Sequence, residues 1–147
     1  VAGDTRLVLL RTAPVLAPTG GLLAKLKPVF WLGLGGARGS GRQYFSWITL
    51  DDEVRAITHL LESDVAGPVN LSSPNPLPFG DFVKALGSAM HRPTLLKVPG
   101  FVASTVGGEM AEEMILFSQR VVPSVLEASG FTFDHPDITS ALEYTRA

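Results

Sequence analysis

The chain has 147 residues, 46% hydrophobic and 18% charged, with a net charge of −2 and no cysteine. Such a composition describes one globular unit, excludes disulfides, thiolate metal sites and a Cys nucleophile, and leaves no basic footprint for nucleic acid. No apolar run reaches the roughly 20 residues of a membrane helix and no basic segment leads into an apolar one as in a signal peptide, so neither nucleic acid nor membrane is an expected partner and the expected compartment is the cytoplasm.

Arg6 to Leu10 is a short apolar run that reads as a buried strand. The chain opens at Val1 and enters this run almost at once, which predicts that it is the later part of a longer protein. Pro14 and Pro18 interrupt the next stretch of chain. Thr19 is placed to cap a helix from Gly20 to Lys27 with Leu22, Leu23 and Leu26 inward. A glycine-rich loop, Gly33 to Gly41, leads to a strand over Phe45 to Leu50. Asp51 is the expected N-cap of the next helix, with Asp52 and Glu53 in its positive first turn and Val54, Ile57 and Leu61 on the inward face. A strand over Pro68 to Ser72 precedes a Ser-Ser-Pro-Asn-Pro loop. Pro78 then suits a helix start, and Phe79, Phe82, Val83, Leu86 and Met90 recur at helical spacing.

Leu95 to Val98 reads as a small strand. Met110, Met114, Phe117 and Val121 share one helical face, with Glu109, Glu112 and Glu113 early and Arg120 late, the order that suits the helix dipole. Pro123 starts a short helix that Gly130 ends, and Asp137 caps a last one carrying Ile138, Ala141 and Leu142. Strands alternating with helices predict an α/β fold with a more helical tail. Only three or four strands are visible, few for a complete doubly wound sheet.

Several residues invite a chemical reading. Asp51 and Asp52 suit a carboxylate pair, but a cap and first-turn charge explain them more simply. Arg38 and Arg42 flank the glycine loop, where they would clamp an anion or merely be solvated. Asn70 and Asn75 sit at strand and loop ends, where Asn is common. His59, His91 and His135 lack ligand spacing, so no metal site is expected. Trp47 is expected in the core. Gly33, Gly36 and Gly39 have dinucleotide-loop spacing, but a helix-like segment precedes them and a strand comes after, the reverse of the required context.

Three blocks in order carry a family resemblance: Arg-Thr-Ala-Pro-Val-Leu-Ala-Pro from Arg11 to Pro18, Phe-Ser-Trp-Ile-Thr-Leu-Asp-Asp from Phe45 to Asp52, and Val-Asn-Leu-Ser-Ser-Pro-Asn-Pro from Val69 to Pro76. The tail adds Gly108-Glu109-Met110-Ala111-Glu112, Gln119-Arg120-Val121 with Pro123, and Gly130-Phe131 with Phe133. Together these resemble the C-terminal half of atypical extended short-chain dehydrogenases/reductases of the epimerase family, which carry a characteristic C-terminal extension.

The resemblance implies the C-terminal part of a Rossmann-like fold. Residues 1–76 would be a remnant of the Rossmann sheet with cleft segments, and residues 77–147 a mainly helical substrate-side subdomain. In that family a glycine-rich loop holding NAD(P) and a Tyr with a Lys four residues on lie earlier in the chain. Here Tyr44 is followed at that spacing by Ile48, and Tyr144 has no residue there. The expected catalytic and cofactor-binding sets of this chain are therefore empty, and NAD(P) is expected only in the longer protein.

The residues placed on the substrate side are Arg11, Arg38, Arg42, Gln43, Asn70 and Asn75. Gln43 matches the Gln of the sugar-nucleotide epimerases, but the Arg that follows it two residues on is here Phe45, an aromatic that cannot grip a diphosphate. The expected function is the substrate-binding half of an NAD(P)-dependent epimerase or oxidoreductase, incompetent alone. The alternatives are a non-catalytic dinucleotide-sensing regulator and a free-standing α/β interaction module. Expected partners are an N-terminal cofactor-binding half, a small-molecule substrate and a possible second copy.

Overall fold

The computed structural model describes residues 5–36, 40–94 and 118–146. The elements in order are β1 (Val8–Thr12), β2 (Val15–Leu16), α1 (Gly21–Trp31), β3 (Tyr44–Phe45), β4 (Ile48–Thr49), α2 (Leu50–Glu62), β5 (Gly67–Leu71), β6 (Leu77–Pro78), α3 (Phe79–Ala89), α4 (Ser124–Ala128) and α5 (Ile138–Tyr144). Arg38, the Leu95–Val98 strand and the Met110–Phe117 part of the expected helix lie outside the described residues.

The fold is α/β. β1 and β5 pair in parallel, from Val8 opposite Gly67 to Thr12 opposite Leu71. β2 and β4 are also parallel, and β3 pairs antiparallel with β6. The expected strand over Phe45 to Leu50 is thus two short pieces serving different partners. Ser46 and Trp47 make the switch, and Ser73 N–H donates to the Trp47 carbonyl at 2.6 Å.

Two apolar clusters hold these layers. The first joins Leu16, Leu23, Phe30, Phe45 and Trp47 to Phe79, Phe82, Val83 and Leu86 of α3 and to Ala141 and Leu142 of α5. The α3 stripe faces inward as its spacing requires, and the rings of Phe45, Phe79 and Phe82 meet at centroid distances of 4.6–5.8 Å. The second cluster joins Ile48, Ala56, Leu60, Val69, Leu71, Leu126 and Phe131. Asp137 caps α5, accepting from Ser140 N–H at 2.9 Å, and Gly130 ends α4 at φ 87°, a conformation open to glycine.

Four expectations are corrected. α1 has no Thr19 cap: Gly20 stands at its N-cap, and the helix runs past Pro28 to Trp31, because burial of Phe30, one face with Leu23, continues the inward stripe. The N-cap of α2 is Thr49, whose hydroxyl accepts from Asp52 N–H at 3.2 Å, not Asp51. The inward face of α2 is Asp52, Ala56 and Leu60, whereas Val54 and Leu61 are 55% and 72% exposed. Asp52 sets this rotation: its carboxylate accepts from Asp134 N–H and His135 N–H, both at 2.9 Å, so residues spaced four apart from it turn inward. Ser118 to Pro123, where the late helix was expected to finish, is not helical.

β1 is paired along one edge by β5, and no described strand covers the other. Leu7, Leu9 and Leu10 on and before it are 65%, 52% and 44% exposed. Among the described residues no helix is long and apolar enough to cross a membrane.

Candidate functional site

The carboxyl ends of parallel strands, where a sheet leaves a crevice, are where α/β folds place ligands. Here β1 delivers Arg11 and Thr12 to that end, followed by Ala13 and Pro14, and β5 delivers Asn70. Tyr44 and Phe45 of β3, Ser46, and the tail segment Gln119 to Val122 close a cleft of about 890 Å³.

The tail segment is held by long-range hydrogen bonds. Ser46 Oγ donates to the Gln119 carbonyl at 2.7 Å and accepts from Val121 N–H at 2.9 Å. Gln119 N–H donates to the Tyr44 carbonyl at 3.2 Å, and Tyr44 N–H donates to Ser118 Oγ at 3.0 Å. Ser72 Oγ and Asn70 Nδ2 donate to the carbonyls of Val121 and Val122. Between these anchors the Arg120 guanidinium lies 5.2 Å from the centre of the Tyr44 ring, a cation–π distance.

Behind the wall, Thr12 Oγ1 donates to Glu53 Oε1 at 3.0 Å. Glu53 is buried, and its second carboxylate oxygen has no partner among the described residues. Burial pushes its pKa above the ordinary value, and the Thr12 hydrogen bond opposes that rise.

The residues expected on the substrate side are dispersed. Arg11 and Asn70 line the cleft. Arg42 lines a separate depression of about 740 Å³ with Gly41, Asp81 and Lys84, sharing only Tyr44 with the first. The Gln43 carbonyl accepts from Phe79 N–H at 2.8 Å, at the start of α3. Asn75 Nδ2 donates to the Pro136 carbonyl at 3.0 Å, which ties the loop after β5 to the tail and away from the cleft. Thr12, Tyr44, Ser46, Gln119 and Arg120 were missed. The available signal was the polar Ser118-Gln119-Arg120 ahead of Pro123, a poor continuation for a helix.

Asp51, Asp52 and Asp134 bring carboxylate oxygens within 4.8 Å of one another. Arg55 occupies that cluster, at 2.8 Å from Asp52 and 3.1 Å from Asp134, and Asp52 is committed to the backbone of Asp134 and His135. The aspartates are thus structural. α1 precedes the glycine loop and β3 comes after it, the order read from the sequence.

Parallel strands with a cleft at their carboxyl ends, closed by the non-helical segment Gln119 to Val122, are the arrangement of a Rossmann-like extended short-chain dehydrogenase/reductase fold. Comparison with known proteins agrees. Residues 98–145 match the family described as "Domain of unknown function (DUF1731)". An epimerase family protein of Mycobacterium tuberculosis is 47% identical over 140 residues, 95% of this chain and 46% of that protein. Epimerase family protein SDR39U1 of Homo sapiens is 36% identical over 143 residues, 96% of this chain and 49% of that protein. The crystal structure of the human protein with NADPH superposes with a TM-score of 0.88 at 34% identity, over 99% of this chain and 50% of that one. A nucleoside-diphosphate sugar epimerase structure from Corynebacterium glutamicum gives 0.69 at 30% identity, over 96% of this chain and 26% of that one. The chain belongs to the epimerase family, and it spans about half the length of the curated relatives it matches.

Proposed function

We propose that this chain is the substrate-side half of an NAD(P)-dependent epimerase or reductase, with the cofactor loop and the Tyr/Lys proton-transfer pair supplied by a preceding half. The observation that carries this reading is the cleft at the carboxyl ends of β1 and β5, beside a β1 edge that no described strand pairs. Parallel strands are normally buried on both faces, and the exposed Leu7, Leu9 and Leu10 suit a partner strand and its covering helix. The NADPH in the human relative's structure supports NAD(P) as the cofactor of the whole protein. The residues of this chain are read as the substrate side of the cleft, so no chemical step is assigned to that cofactor. Phe45 is buried against Phe79 and Phe82 and serves the core, which disfavours a UDP-sugar as substrate.

Calorimetric titration of NADH and NADPH tests the reading. The chain alone is expected to show no binding, and the longer protein containing it micromolar binding. Micromolar affinity in this chain alone would overturn the assignment. Failure of the longer protein to bind would favour the interaction-module alternative, and binding without turnover in a protein lacking the Tyr/Lys pair would favour the regulator.

A further inference from the structure

We infer that the cleft is a carboxylate site, in which Arg11 and Arg120 receive the anionic end of a small organic acid with an apolar carbon skeleton. This rests on the cleft being the substrate site of the proposed function, and it names the class of substrate.

The charge of the lining is the first argument. The chain carries 14 acidic and 12 basic residues besides its histidines, yet among the described residues the cleft is lined by two arginines and no carboxylate. Elsewhere on the surface Arg55 and Lys84 each meet an aspartate. Arg11 and Arg120 have no ion pair among the described residues. Two uncompensated guanidinium groups in one concavity favour an anion.

Preorganisation is the second. Arg120 sits between backbone groups pinned by Ser46, Ser72 and Asn70, and its guanidinium is held over Tyr44. A cation–π contact takes up none of the guanidinium N–H donors, so they remain for a carboxylate, which an arginine fork can receive in bidentate fashion. An arginine on an anchored backbone with its head group against a ring loses less side-chain entropy on binding than a free one.

The remaining walls set the size and polarity of the ligand. Ala13, Pro14, Val121 and Val122 are apolar, and Thr12 Oγ1, Ser46 Oγ and Asn70 Nδ2 already donate to Glu53, Gln119 and Val122, which leaves the Tyr44 hydroxyl and the Gln119 amide as the other polar side-chain groups of the lining. The lining therefore suits a short hydrocarbon chain bearing one acid group better than a polyhydroxylated sugar, which needs a donor or acceptor for each hydroxyl.

The test uses hexanoate, 2-oxohexanoate and phenylacetate, each beside its methyl ester, with inorganic phosphate and UDP as further arms. Binding is read by calorimetry and by 15N shifts of the arginine side chains, in the full chain and in the longer protein. At least one acid is expected to saturate, with its ester weaker by about tenfold or more, as loss of a charge-assisted pair implies. Arg11→Gln and Arg120→Gln should each reproduce that loss, and Arg120→Lys should recover only part of it, because the ammonium lacks the planar fork. Lys84→Gln, outside the cleft, should leave affinity unchanged. All these side chains are exposed, so dispersed spectra are expected in every variant. Equal binding of acids and esters, no saturable acid up to millimolar concentration, or tighter Arg-dependent binding of phosphate or UDP would overturn the inference. If acids fail while the longer protein still binds NADPH, the substrate class falls and the proposed function stands; the converse result sinks the proposed function alone.

Discussion

α3 and α2 are both amphipathic by sequence, and they treat their apolar stripes in opposite ways. α3 buries Phe79, Phe82, Val83 and Leu86 in a core complete within the chain. α2 turns Val54 and Leu61 outward and buries Asp52, Glu53, Ala56 and Leu60 instead. Its neighbour β1 shares this character, since Arg6 Nη1 and Nη2 donate to the carbonyls of Val65 and Leu61 while Leu7, Leu9 and Leu10 stay exposed. The contrast separates two kinds of apolar surface. One is satisfied by this chain, and the other is left where the proposed partner half would add to the sheet.

Substitutions can break or sharpen that contrast. Phe82→Ala should cost about 3–5 kcal/mol in urea denaturation, as expected for a large ring removed from a closed core; a loss under 1 kcal/mol would mean the first cluster is not well packed. Asp52→Ala should cost about 2–3 kcal/mol, because it removes a buried carboxylate that accepts from the N–H groups of Asp134 and His135. That variant should also loosen the tail, read as faster amide exchange at residues 131–135.

Leu9→Lys addresses the open side. The chain alone is expected to self-associate through the β1 edge, and the lysine, unpaired in an apolar contact, should raise the dimer dissociation constant by about tenfold or more in light scattering. A parent chain that is a clean monomer would remove the basis for this edge as an interface.

Glu53→Gln probes the buried acid. Burial raises the Glu53 pKa above its ordinary 4.5, so the folded state holds this proton more tightly than the unfolded one. Stability from the protonated carboxyl is fully present below about pH 4.5 and is lost as pH rises through the folded value. The Gln variant, always neutral, should melt higher than the parent at pH 7, with the gap closing on acidification towards pH 4. A pH-independent gap would point to altered packing instead. The smallest effect belongs to Leu61→Ala, expected within about 0.5 kcal/mol of the parent, where an inward-facing leucine would cost about 2–5 kcal/mol.

Local signals made much of the helical part legible in advance. The α3 stripe, the Asp137 cap and the Gly130 stop each depend on residues within a turn or two of one another, and each is found where its spacing places it. The cleft was legible only in part. Arg11 and Asn70 lie at strand ends that sequence can locate, whereas Arg120 reads locally as the basic end of a helix.

Composition, periodicity and the ordered sequence blocks by themselves determined the α/β class, the family and the inward face of α3, because those properties are encoded in neighbouring residues. Tertiary structure alone decided which way α2 faces and where the tail runs. Asp52 reaches Asp134 and His135 across 82 and 83 positions, and Ser46 reaches Gln119 and Val121 across 73 and 75. A buried carboxylate or hydroxyl must find its donors and acceptors wherever packing brings them, and hydrogen bonds over such separations leave no periodic trace in the chain.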